Sequence, residues 1–230
     1  MRNLFLLLIF SMSSIGALAG NSPRYMRVMT KSQQDKLTPD EVIGRLKAGN
    51  KRFTSNESTV RDHKAQIRKA VRGQFPKAII LSCVDSRVPV EDVFDQGIGD
   101  IFVARVAGNV INKDILGSME YAAKVAGVKL VLVLGHQSCG AVKSAIDDVK
   151  LGNITGLLEK IKPAVKMSKA KKERSSKNYP YVAEVCKNNV LHNVKRIKKE
   201  SKVLSKLESE GKIKIAGAIY EMDSGKVLFY

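Results

Sequence analysis

The 230-residue chain has no tryptophan, only three cysteines and three histidines, and 22 acidic residues against 40 lysines and arginines. So few cysteines in a chain of this length argue against a disulfide-framed scaffold, which packs more of them into a shorter sequence. No long apolar run is present either. The longest, Leu4 to Phe10, is broken by Ser11, Ser13 and Ser14, short of the roughly 20 residues that a membrane-spanning helix needs. Aromatic residues are scarce, and nearly absent from the two most basic stretches, "KIKPAVKMSKAKKERSSK" from Lys160 and "VKRIKKESKVLSKLESEGK" from Val194. A single-strand nucleic-acid binder stacks bases on such side chains, so the net charge of +18 reads as solvated helix faces able to attract anions. No nucleic-acid partner is expected.

What is present first defines the ends. A basic Arg2, the apolar Leu4–Phe10 and the small-residue ending Ala17-Leu18-Ala19 form a secretory signal over residues 1–19. Residues 20–230 are long enough for one domain with a substantial core. The mature chain is therefore expected in the periplasm or outside the cell, with no stable membrane insertion after cleavage. No cysteine stands near the cleavage point to carry a lipid. An oxidising destination raises the question of what three cysteines, an odd number, are for.

Thr38-Pro39-Asp40-Glu41 reads as a helix start, with Thr38 as N-cap and Glu41 closing a capping box. The stripe Val42, Ile43, Leu46 and Phe53 follows it. "KAIILSC", "DIFVARV" and "KLVLVLGH" are apolar runs without alternation, as in strands buried on both faces. Helices are expected over residues 113–126 and 141–149. "KIKIAGAIYEM" is a last strand, and "KVLFY" a short one after a turn at "DSG". Strand and helix in alternation predict an α/β fold, a central, mostly parallel sheet flanked by helices.

Cys83 and Asp85 follow the first strand run; His136 and Cys139 end the third. Parallel strands put those ends on one edge of the sheet, where ligands of such folds bind. Two thiolates and an imidazole are a zinc set with a fourth position open to water or to a carboxylate. Three other readings account for fewer residues. A Cys83–Cys139 disulfide leaves His136, Asp85 and Arg87 idle. A cysteine–histidine nucleophile pair leaves one cysteine redundant. A structural zinc needs no carboxylate gripped by a guanidinium beside it. Cys186 reads as a small buried hydrophobe, and His63 and His192 as surface or structural groups.

"CVDSR" at Cys83, "RVAGN" at Arg105, "SMEYA" at Ser118 and "GHQSCGAV" at Gly135 together resemble the β-class carbonic anhydrases. So do "RLKAGNKRF" before the first strand and "GAIYEMDSGKV" near the end. The resemblance implies Zn2+ on Cys83, His136 and Cys139, with Asp85 and Arg87 as a catalytic dyad and Asp85 as fourth ligand in a closed form. Gln96 would correspond to a substrate-pocket glutamine, and the N–H of Gly140 could hold a substrate oxygen. Phe102, Val110 and Tyr121 are candidate apolar walls.

The reaction implied is reversible hydration of carbon dioxide to bicarbonate and a proton, by hydroxide that the zinc makes available. A relative acting on carbon disulfide, or a zinc and bicarbonate binder without turnover, are the alternatives. The family implies a homo-oligomer, dimer or tetramer, and the helix around Thr38 to Phe53 is a candidate to cross to the partner. Some family members bind an anion through a tryptophan three residues before the first cysteine. Here that position is Ile80.

Overall fold

A computed structural model describes residues 25, 27–170 and 173–230; the candidate signal over residues 1–19 lies outside them. In chain order the elements are α1 (Lys31–Asp35), α2 (Pro39–Thr54), α3 (His63–Ala70), β1 (Ala78–Ser82), α4 (Val90–Val93), β2 (Ile101–Arg105) and a 3-10 turn at Ala107–Asn109. Then follow α5 (Lys113–Lys124), β3 (Leu130–His136), α6 (Gly140–Ile146), α7 (Gly152–Glu159), α8 (Lys162–Met167), α9 (Tyr179–Glu200), α10 (Lys202–Ser209), β4 (Lys214–Tyr220) and β5 (Val227–Phe229).

The strands form one sheet in the order β2-β1-β3-β4-β5. β1 pairs in parallel with β2 and β3, and β3 with β4; β5 returns antiparallel. Every residue of β1 and β3 is buried, because both sheet faces carry helices. Alternate residues serve opposite layers. Ile79, Leu81, Val131 and Val133 pack toward α5 and α9, whereas Ile80, Leu130 and Leu132 pack toward α2 and α4. α9 lies close on the sheet, and a Cβ on Gly135 would stand 2.5 Å from Val190. Among the described residues, no helix is long and apolar enough to cross a membrane.

α2 starts as the sequence indicates. The Thr38 hydroxyl accepts from the Glu41 N–H, and the Glu41 carboxylate accepts from the Thr38 N–H. Part of its apolar stripe is covered by this chain itself. Val42 and Leu46 are fully buried within this chain's own core. Asn50 locks the helix in place: its Nδ2 donates to the carbonyls of Val93 (3.1 Å) and Gly225 (2.9 Å), and its Oδ1 accepts from the Val227 N–H at 2.9 Å. A stripe of apolar residues says that a face is covered, but not by which chain.

Candidate metal centre

The register Ser82↔Leu134 sets the residue after β1 beside the end of β3. Cys83 therefore meets His136, the last residue of β3, and Cys139, the N-cap of α6. The ligand-capable atoms of all three lie within 4.8 Å of one another, and all three residues are buried. The turn between them is pinned by Gln137, whose N–H donates to the Tyr220 carbonyl (3.0 Å) and whose Oε1 accepts from the Met222 N–H (3.0 Å).

The donor chemistry fits a thiophilic divalent metal. His136 Nδ1 lies 2.9 Å from the Gln137 carbonyl. That oxygen can only accept, so Nδ1 carries the proton and Nε2 is left with a bare lone pair. Nε2 is buried and has no hydrogen-bond partner. Such an orphan is costly unless something electrophilic meets it. Cys83 Sγ and Cys139 Sγ stand 4.0 Å apart, with both cysteines free. That is twice a disulfide bond length and close to the roughly 3.8 Å separating two thiolates on a tetrahedral zinc. The sulfurs lie close enough for one thiol to hydrogen-bond the other: the Cys139 thiol, together with the Gly108 N–H, outweighs burial and draws Cys83 down to about 4. The same hydrogen bond, together with burial, pushes Cys139 up. A divalent cation would replace the thiol proton.

Asp85 flanks the open side, its Oδ2 3.8 Å from His136 Nε2. Arg87 grips it with a fork, Nε to Oδ1 at 2.9 Å and Nη2 to Oδ2 at 2.8 Å, and adds its own N–H to Oδ1 at 3.0 Å. These bonds hold the Asp85 carboxyl down to about 2 against the opposing effect of burial.

Three supports went unnoticed in the sequence. Arg105, at the end of β2, donates from Nε to the Cys83 carbonyl (2.8 Å) and from Nη2 to the Asp85 carbonyl (2.6 Å). The Gly108 N–H reaches Cys83 Sγ at 3.3 Å from a left-handed backbone (φ 68°) that favours glycine. Behind it, Asn189 Nδ2 donates to the Gly108 carbonyl at 2.8 Å, and Asn193 Oδ1 accepts from the Ile111 N–H at 2.9 Å. Two asparagines four apart on the buried face of α9 were the available signal.

Other sequence candidates fall elsewhere. Gly140 opens α6 directly after Cys139. Gln96 is not brought to the metal ligands; its Oε1 accepts from Lys77 Nζ at 2.6 Å, at the opposite edge of the sheet. Within this chain Gln96 therefore lies apart from Cys83, His136 and Cys139. Val110 is buried in the core alongside Cys83 and Cys139. Phe102 and Tyr121, with ring centroids 6.5 Å apart, line a groove of about 700 Å3 between β2 and α5. Cys186 is buried, His63 exposed and His192 half-buried.

A parallel α/β sheet carrying a Cys-His-Cys cluster and an aspartate–arginine pair on its carboxyl edge defines a candidate metalloenzyme of the open-sheet class. The comparisons with known proteins agree. A family model described as carbonic anhydrase matches residues 78–227. Carbonic anhydrase 2 of Mycobacterium tuberculosis is 37% identical over 192 residues, covering 80% of this chain and 88% of the relative. The carbonic anhydrase of Mycolicibacterium smegmatis is 36% identical over 188 residues, covering 79% and 88%. Among solved structures, the β-carbonic anhydrase CcaA superposes with a TM-score of 0.67 at 24% identity, covering 83% of this chain and 86% of that one. The β-carbonic anhydrase CafA of Aspergillus fumigatus gives 0.66 at 23%, covering 83% and 89%; both show the fold. The chain belongs to the carbonic anhydrase family, in its β class, whose reaction is the hydration of carbon dioxide.

Proposed function

We propose that Cys83, His136 and Cys139 hold zinc and that this chain hydrates carbon dioxide reversibly to bicarbonate and a proton beside it. The carrying observation is the bare, buried His136 Nε2 set among two free cysteine sulfurs 4.0 Å apart. Zinc, when bound there, supplies a Lewis acid that lowers the pKa of water toward neutrality.

The chain's own residues do the rest. Asp85, kept ionised by Arg87, can only accept hydrogen bonds. A hydroxide supplied beside these residues would donate a hydrogen bond to Asp85, which would leave a lone pair free to face the carbon of carbon dioxide. Because the Arg87 fork engages both carboxylate oxygens, it would hold Asp85 off a metal carried by the three ligands, and its loss would free the carboxylate to bind there. The Gly140 N–H, at the start of α6 directly after Cys139, is proposed to hold a substrate oxygen.

The working form is proposed to be a homo-oligomer, dimer or tetramer. Supporting this, β2 is an edge strand with four half-buried residues, flanked by the groove that exposes Tyr121. Unpaired strand edges invite pairing with another chain. A structural neighbour from Sordaria macrospora is described as tetrameric. Residues 1–19 are proposed as a cleaved export signal, residues 20–230 as a single domain, and the periplasm or exterior as its location. The support is Arg2, the apolar run and Ala17-Leu18-Ala19.

Zinc content and carbon dioxide hydration measured on the same purified protein test the reading. Stoichiometric zinc with rapid hydration is expected. Zinc without turnover would leave a binding protein, and turnover of carbon disulfide alone would place the chain with that other activity.

A further inference from the structure

At the sheet edge opposite the metal ligands lies a cavity of about 570 Å3, bounded by residues near Val28 and Met29, by α2, and by the segments leading into β1 and β2. The five-residue β1, roughly 16 Å long at ~3.3 Å per residue, separates it from Cys83. The reaction at the metal centre makes no use of this cavity.

Its lining is ionic to an unusual depth. The Asp95 side chain, fully buried, meets Arg52 Nε and Arg61 Nη1, both at 2.5 Å, and accepts from the Thr59 hydroxyl at 2.7 Å. Lys77, with a side chain only 6% exposed, lies 3.3 Å from Asp100, which also accepts the Gly97 N–H at 2.9 Å. Glu41 is taken up by the N–H and hydroxyl of Thr38. All three lining carboxylates are thus engaged.

Five cations face them: Lys36, Arg45, Arg52, Arg61 and Lys77. Among the described residues, Lys36 and Arg45, exposed at the cavity's mouth, make no ion pair, although Arg45 lies near enough to Glu41 to help lower its pKa. Burial lowers the Lys77 pKa, Asp100 opposes that, and Arg45 and Arg61 push it further down. These cations therefore crowd one another across a shared space, at an electrostatic cost that a bound anion would relieve.

We propose that this cavity binds a small oxyanion, held by Arg45 and Lys36 above the Lys77–Asp100 pair. Phosphate and bicarbonate share the required chemistry, a compact negative charge with several acceptor oxygens. Both guanidinium and ammonium groups recognise it.

A titration of the zinc-loaded protein followed by backbone amide NMR, with inorganic phosphate in one series and bicarbonate in another at constant ionic strength, locates the site directly. Saturable shifts are expected at Lys36, Arg45, Lys77 and Asp100. Arg45→Gln should weaken binding about tenfold and Lys36→Gln by a smaller factor. Lys51→Gln, an exposed change on the same helix, should leave the affinity unchanged. Saturation by phosphate makes the ligand a phosphate group, and saturation by bicarbonate makes it the reaction's own product; either supports the site. Shifts confined to Gly108 and Cys139, shifts that never saturate, or an unchanged affinity in Arg45→Gln would overturn it. The readout at Lys36 and Arg45 stays legible even if zinc fails to bind, because it comes from the other edge of the sheet.

Discussion

Arg87 holds Asp85 by three hydrogen bonds between residues only two apart in sequence: two from the guanidinium fork and one from its backbone N–H. The carboxylate is the half-buried member of this pair and the guanidinium the exposed one, with side-chain exposures of 15% and 57%. The fork is thus an orienting device at the mouth of the site, not a piece of the core.

Removing it should separate catalysis from metal binding. Arg87→Ala is expected to keep stoichiometric zinc and normal folding while hydration falls about a hundredfold, the scale of loss when a reacting group is misplaced. Arg87→Lys should recover only part of the rate, since an ammonium cannot make the fork. Stopped-flow hydration with metal analysis on the same samples checks this, and wild-type turnover in Arg87→Ala would remove the pair from the mechanism.

Cys83→Ser and His136→Ala should behave differently, each deleting one of three protein ligands. Zinc and activity are expected to disappear together. Metal content at the wild-type level in either purified variant would refute the ligand set.

Asn189 is the buried prop behind the site. Its replacement by leucine leaves the Gly108 carbonyl without the donor it has at 2.8 Å, at a cost of about 1–3 kcal/mol. The urea midpoint should drop accordingly. Zinc affinity should weaken too, because the Gly108 N–H that reaches Cys83 Sγ loses its anchor. A full urea midpoint in Asn189→Leu would show that the prop is dispensable.

Much of this site was legible because its chemistry sits at the ends of apolar runs. Cys83 follows one buried strand and His136 ends another, and parallel pairing carries both to the same edge. Gln96 shows where that reasoning stops. In a parallel sheet the chain must return to the amino edge before each new strand, so a residue late in the α4 to β2 connection belongs near Asp100 and Lys77, not near Cys83. Arg105 and Asn189 were missed for another cause. Their partners are 22 and 81 residues away, and no local pattern announces contacts of that kind.

The same geometry makes a redox prediction. The two sulfurs at 4.0 Å need to approach by only about 2 Å to bond, and a metal that occupies both thiolates blocks that step. The zinc-loaded protein should resist mild disulfide oxidants, whereas chelated protein should form a Cys83–Cys139 crosslink found by peptide mass spectrometry. Cys186, held in the α9 core, should stay reduced. That crosslink in fully active enzyme would contradict the metal reading.

Asp95 gives a prediction about acid stability. Burial alone would raise its pKa, but Arg61, Arg52 and Thr59 outweigh burial and hold it below the ordinary carboxylate value. A carboxylate depressed in the folded state contributes stability that is fully present above its unfolded pKa, about 3.9. It is lost as pH falls through the lower, folded value. Asp95→Asn should therefore be less stable than wild type at pH 7 by about 2 kcal/mol, since Arg61 keeps an acceptor but loses its countercharge. The difference should shrink as the pH is taken from 5 downward, because only the wild-type residue takes up a proton there. Urea unfolding of both proteins at pH 7, 5 and 3.5 measures the gap. A gap that stays constant or widens toward acid would show that Asp95 is not held in its charged form by the two arginines.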